Sequence, residues 1–347
     1  MAAPILLCDT KGLDRETWLK YRMHGPKGDI EYTVGGSDVA VIFGVSPWQT
    51  PLELWRIKKG LMKPSISVNA DQQEMGHMLE PIAAYWYGKK TGNTVIDDTG
   101  MYQHADHPYA LANFDRRAID KAKNDRIVEC KSTTYHKAMD WADEAIPIYY
   151  DFQLRYYLGV ADVEFGDFAC LWGNNPNTDL ATPSIIRDKF KEDIIFEKLD
   201  EWLWSLRNDK PPTMADVNSK QLALESLARI YGASKPGLPT IEFSKKQEHA
   251  LRRIALLQTE NADFQKSINT NEKEIETHSV RIAEMMREHE HGVLETTTDK
   301  LLIDFVTKSS SRVNSELLKK NHPVIYQDCL KKSESRKVKV KIEPVAV

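Results

Sequence analysis

Arg126-Ile-Val-Glu-Cys-Lys131, with Asn113-Phe-Asp115 shortly upstream, is the stretch on which the fold turns. As a β-strand it places Ile127, Glu129 and Lys131 on one face and Val128 and Cys130 on the other. A carboxylate and an ammonium then lie side by side on an otherwise apolar strand, and Asp115 offers a second carboxylate nearby. Burying unpaired charge is expensive, so such a strand needs a reason. One reading is a Mg²⁺ site for phosphodiester hydrolysis, with Asp115 and Glu129 holding the ion and Lys131 positioning water. The other is an edge strand with an internal salt bridge. Spacing alone leaves both open, because an E-x-K triplet is common by chance.

The 347 residues suffice for one large domain or two ordinary ones with a real core. A net charge of −4 does not advertise a nucleic-acid partner, so any basic surface must be local. Cys8, Cys130, Cys170 and Cys329 lie far apart and form no CxxC pair. That scatter argues against a zinc ribbon and for reduced thiols in a cytoplasmic protein. The N-terminus lacks a basic region before Ile5-Leu6-Leu7, and no apolar stretch approaches membrane-spanning length. Neither a Walker motif nor GxGxxG is present.

Hydrophobic periodicity predicts helices at 13–22, 38–43, 52–59, 75–90, 148–160 and 194–206. Thr50-Pro51 reads as an N-cap followed by proline at the first helical position. Strands are predicted at 94–96, 101–103, 110–114, 117–119, 127–130 and 165–172. Pro211-Pro212 marks a boundary, giving a first domain at 1–210 and a linker at 211–243. Residues 244–291 contain neither Gly nor Pro and carry a seam of three- and four-residue steps. Asn261, Asn271 and His278 interrupt it, as in a long helix or helical hairpin with coiled-coil character. Residues 292–347 read as a small basic module, mostly strands with a helix at 315–320. In its final run, Lys337, Lys339 and Lys341 would share one strand face, as a solvated edge or a phosphate-contacting surface.

Further segments join the central strand. They are Arg22; Gly35-Gly36-Ser37-Asp38; Gly44-Val-Ser-Pro47-Trp48-Gln-Thr50-Pro51; Gly76-His-Met-Leu-Glu80-Pro81; and Ile146-Pro147 through Gln153-Leu-Arg-Tyr156. In this order, over residues 15–205, they resemble the viral recombinase nucleases (YqaJ-like, the lambda exonuclease family) of the PD-(D/E)XK superfamily. The resemblance implies an α/β core with a central mixed sheet flanked by helices. It implies that Asp115, Glu129, the Cys130 backbone carbonyl and Glu80 hold Mg²⁺, with Mn²⁺ also suited to these hard oxygens. Lys131 would orient or deprotonate water, and Gln153 would help hold the site. Ser37 and Arg22 would bind a terminal 5′-phosphate, although Ser37 also reads as a helix N-cap.

The implied activity is a 5′→3′ exonuclease on linear duplex DNA, leaving 3′ single strands for a single-strand annealing protein. The implied protein is a homo-oligomer, a ring by family analogy, of phage or prophage origin in the bacterial cytoplasm. An endonuclease of the same superfamily and an inactive DNA-binding protein are the alternatives. Trp48, Tyr149, Tyr150, Tyr156 and Tyr157 read as core aromatics or as a stacking surface for a frayed DNA end.

Overall fold

The computed structural model describes residues 3–64, 70–214, 217–330 and 338–342. They form two compact units, Met1–Gly232 and Ala233–Val347.

The first unit is built on a mixed sheet of β2 (Thr94–Asp97), β5 (Arg116–Ile119), β6 (Asp125–Ser132), β7 (Phe165–Leu171) and β8 (Leu180–Ala181), in that order. β9 (Ser184–Ile186) pairs with the other end of β7. β2, β5 and β6 are antiparallel neighbours, whereas β6 and β7 run parallel. A parallel pair needs a long crossover, and α5 (Ile148–Ala161) supplies it. A smaller sheet pairs β1 (Ile5–Asp9) with β3 (Gly100–Gln103), and β3 with β4 (Leu111–Ala112).

Helices cover both faces, as expected. On one face α2 (Gly36–Ile42), α3 (Pro51–Lys58), α5 and α6 (Lys189–Arg207) pack a core that includes Ile127 and Phe168. On the other, Ala83, Ala84 and Tyr87 of α4 (Ala70–Thr91) pack on Val128, Cys130 and Ala169. The two-residue alternation of the central strand therefore divides between two cores. Local sequence explains several boundaries. Thr50 and Glu53 close a capping box with Pro51 in the first turn of α3. Asp14 caps α1 (Arg15–His24) by accepting from the Thr17 N–H.

Residues 211–243 are not simply a linker. α7 (Lys220–Tyr231) belongs to the first unit, with Leu222, Ala223 and Ser226 buried. Ser226 Oγ lies 2.7 Å from Thr50 Oγ1, and Arg229 Nε donates to the buried Glu53 at 2.6 Å. Pro211-Pro212 redirects the chain but does not release it from the fold, so the boundary moves to Gly232.

In the second unit, α8 (Glu248–Met286) is one unbroken helix and not a hairpin. The hairpin β10 (His291–Glu295) and β11 (Lys300–Asp304) follows, then α9 (Ser315–Asn321) and α10 (Pro323–Asp328). Of the expected basic strand, residues 331–337 lie outside the described residues, and 338–342 are irregular and not a strand.

Candidate active site

The site lies where the main sheet opens. The chain leaves β4, which pairs in the small sheet, and enters β5, which pairs in the large one. Asp115 stands at that switch, just before the β5–β6 ladder begins with Arg116 opposite Val128. Cys130, two residues on, has no β5 residue opposite it. Its N–H donates instead to Asp115 Oδ2 at 2.8 Å. In a strand, a residue's C=O points to the same edge as its N–H, so the Cys130 carbonyl is directed to the edge where Asp115 stands.

On the other face of β6, Glu129 is buried. Lys131 Nζ and Gln153 Nε2 both donate to its Oε1, at 2.5 and 2.6 Å. α5 delivers Gln153 because Leu154 and Leu158 of the same helix are anchored in the core. The Lys131 ammonium also lies 5.0 Å from the centre of the Tyr150 ring. Glu80 of α4 completes the group electrostatically. Burial and then the Asp115 carboxylate push its pKa up, against the hydrogen bond from His77 at 2.8 Å.

Glu129 Oε2 is buried and has no hydrogen-bond partner among the described residues. Burial, and next the Asp115 charge, push the Glu129 carboxyl well above the usual range, although Lys131 opposes them. Burial pulls the Lys131 ammonium down, but Glu129 and Asp115 outweigh it and hold it firmly protonated.

As they stand, no three carboxylate, thiol or imidazole groups among the described residues form a ready-made ion cage. Each carboxylate instead takes a protein donor: His77 for Glu80, the Cys130 N–H for Asp115, and Lys131 with Gln153 for Glu129. Even so, the donor set fits a divalent cation. It offers hard oxygens, excess negative charge and a buried carboxylate oxygen with a lone pair to spare.

Arg22 and Ser37 also meet, with Arg22 Nη2 donating to Ser37 Oγ at 2.9 Å. Ser37 is not the N-cap of α2. Gly35 holds that position, and Asp38 Oδ2 accepts the Gly35 N–H at 3.1 Å. Two glycines permit the crowding: a Cβ at Gly35 would strike the Arg22 guanidinium, and one at Gly36 would strike the Tyr157 ring. Tyr157 Oη in turn accepts from Gln153 Nε2 at 3.2 Å. A continuous contact path therefore runs from the Arg22–Ser37 pair to Glu129.

Some site features escaped the sequence. Tyr157 follows Gln153 by one helical turn, a spacing that marks it as a neighbour only once Gln153 is known to matter. Of the aromatics, Tyr156 and Tyr157 are core residues, whereas Trp48 is exposed and packs edge-on to Tyr149 at 4.9 Å. His104 and His107 serve the fold, with His107 stacked on Phe196 at 4.5 Å.

Residues 17–164 match the model of the YqaJ-like viral recombinase domain. The uncharacterized protein YqaJ of Bacillus subtilis (strain 168) is 26% identical over 339 residues, covering 97% of each chain. Among solved structures, the alkaline exonuclease LHK-Exo from Laribacter hongkongensis aligns with a TM-score of 0.45 and 17% identity, over 56% of this chain and 94% of that one. A phage related exonuclease from Haemophilus somnus 129PT aligns at 0.37 and 15% identity, over 52% and 93%. The segment carrying Asp115, Glu129 and Lys131 thus lies within the residues that match the YqaJ-like viral recombinase domain model.

Proposed function

We propose that this chain is a Mg²⁺-dependent 5′→3′ exonuclease that digests linear duplex DNA and leaves 3′ single strands. The observation that carries this reading is Glu129: a buried carboxylate whose second oxygen has no partner among the described residues, beside Asp115, Glu80 and a protonated lysine. A purely structural ion pair has no use for the surplus carboxylates, and hard oxygens in excess suit Mg²⁺ or Mn²⁺. Asp115, Glu129, Glu80 and the Cys130 carbonyl would hold the ion. When bound, it would lower the pKa of the attacking water and offset charge on the scissile phosphate. Lys131, already an ammonium, is suited to orient that water and donate to the phosphate rather than to act as the base. Gln153 fixes the Glu129 carboxylate through Oε1. The Arg22 fork and Ser37 would hold the terminal 5′-phosphate.

A recombinase domain family fits a product strand passed to a single-strand annealing protein in a phage-infected or lysogenic bacterial cytoplasm. A homo-oligomeric ring around the duplex would give processivity without a strongly basic surface. The test compares linear duplexes bearing a 5′-phosphate or 5′-hydroxyl with a closed circle, each with Mg²⁺ or EDTA. Mg²⁺-dependent loss of the phosphorylated linear DNA alone supports the exonuclease. Cutting of the circle replaces it with an endonuclease, and no cutting at all leaves a DNA-binding protein.

A further inference from the structure

The α8 helix has a feature that the nuclease reading does not use. Its 39 residues extend about 58 Å at 1.5 Å per residue. Every residue from Thr259 to Arg281 is exposed. Isolated helices draw little stability from propensity alone, and most are held by packing an apolar face. Here the large apolar side chains gather on one stripe and remain open to solvent. Phe264 is 66% exposed, Ile275 64% and Met285 79%.

The stripe is a heptad repeat without a skip. Ile254, Asn261, Ile268, Ile275 and Ile282 are spaced by seven and take the a positions. Leu257, Phe264, Asn271, His278 and Met285, also spaced by seven, take the d positions. Outside this seam the only large apolar residues between 254 and 285 are Leu256 and Val280. A strict 3.5-residue period is the narrow seam of a coiled coil, not the broader face of a helix docked on a globular core.

Two properties select the occupant. Isoleucine at a suits a two-stranded parallel coil, and a buried asparagine at a sets its register. In register, each layer of such a dimer is homotypic, so Asn261, Asn271 and His278 each meet their own kind. An antiparallel pairing that overlaps all the layers sets Asn271 against Ile268 twice, a polar group against an apolar one. The flanking charges are compatible with the parallel register but do not select it. The g-to-e′ pairs would be Glu260 with Gln265, Ser267 with Glu272, and Glu274 with Ser279, so like charges do not oppose each other. We infer that α8 pairs with α8 of a second copy of this chain as a parallel, in-register coiled coil.

Sedimentation equilibrium of the full chain at tens of micromolar should show an assembly containing the α8 pair. Ile268→Asp with Ile275→Asp should halve its mass while the far-UV spectrum of the sheet unit persists. Because that variant also strains the helix, cysteine pairing supplies an independent reading. In a Cys329→Ser background, Ile282→Cys should form a disulfide-linked dimer under mild oxidation, because in register it meets itself. Val280→Cys, on the outer face, should not. In the antiparallel alternative, residue 282 lies roughly 38 Å from its copy and cannot link. A monomeric chain, an assembly unchanged by the double substitution, or equal linking at 280 and 282 overturns the inference.

Discussion

The central strand passes two clusters of buried charge, and they differ in kind. Toward its start, Arg126 donates twice to Asp167, at 2.5 and 2.7 Å, and Asp167 also accepts from Tyr87 and Ser184. That cluster closes on itself: one guanidinium shared by the buried Asp167 and, at 3.3 Å, by Asp120, with hydroxyls on the remaining Asp167 lone pairs. Toward its end, Glu129 has Lys131 and Gln153 on one oxygen and, among the described residues, nothing on the other, with Asp115 and Glu80 adding charge of the same sign. Burial is nearly equal, with the side chains of Asp167 and Glu129 3% and 2% exposed. What separates structure from chemistry here is not the depth of the charge but whether its partners balance it. A satisfied cluster holds the sheet together, and an unsatisfied one is shaped for something the chain does not itself provide.

The largest expected effect tests the second cluster. Lys131→Ala should lower the rate of duplex degradation by about a thousand-fold or more, in line with losing one preorganised charge at a phosphoryl transfer. DNA binding, read by gel shift in Ca²⁺ or EDTA, should barely change. Undiminished cleavage by this variant would refute the site assignment. The corresponding change in the first cluster, Asp167→Ala, should act on the fold instead. It leaves Arg126 with only the longer carboxylate contact, to Asp120 at 3.3 Å, and takes the shared acceptor from Tyr87 and Ser184, a loss of about 3 kcal/mol in urea unfolding. Glu129→Gln should cost little stability in metal-free protein, since it removes a carboxylate that the site holds against its preference, while abolishing cleavage. Equal destabilisation by the two changes would erase the distinction between the clusters.

The same contrast has a pH signature. Folding raises the Glu129 pKa above the ordinary carboxylate value of about 4.3. The protonated form is then favoured in the fold. This contribution to stability is fully present below the ordinary value and is lost as pH climbs through the raised one. The melting temperature of metal-free protein should therefore fall from mildly acidic toward alkaline pH, and Glu129→Gln should flatten that fall. Cation binding runs the other way, because it needs ionised carboxylates. The melting-temperature gain from added Mn²⁺ should grow with pH. A gain independent of pH would show that Glu129 and Glu80 do not hold the ion.

How far the sequence revealed these clusters depended on how local the pattern was. Glu129 and Lys131 are two residues apart on a strand, so the alternation alone put them on one face. Asp115 needed the assumption of a neighbouring strand, and Glu80 and Gln153 needed family resemblance, because helices on opposite faces of the sheet deliver them. The Arg126–Asp167 pair was invisible: its members are 41 residues apart and meet only through the parallel register of β6 on β7. α7 was missed for a similar reason. Its buried Ser226 and exposed Arg229 look like an ordinary polar pattern until Thr50 and Glu53 face them. Arg229→Ala should lower stability by about 2 kcal/mol, because Glu53 stays buried without its guanidinium. A stability equal to the parent's would restore the earlier view of 211–243 as a linker.

The smallest effect concerns the boundary between the site and its phosphate pocket. Ser37 makes no cap to α2, since Gly35 and Asp38 fill that role, and its hydroxyl, on an exposed residue, accepts from Arg22 instead. Ser37→Ala should leave the melting temperature unchanged within a degree. If Ser37 and Arg22 together receive the terminal phosphate, removing one hydrogen bond worth about 1 kcal/mol should reduce the preference for 5′-phosphorylated over 5′-hydroxyl ends about five-fold. Because the Glu129 cluster is untouched, the rate on hydroxyl ends should stay as it was. A uniform slowing on both ends would place Ser37 with the chemistry, and an unchanged preference would remove it from the pocket and leave Arg22 to be tested alone.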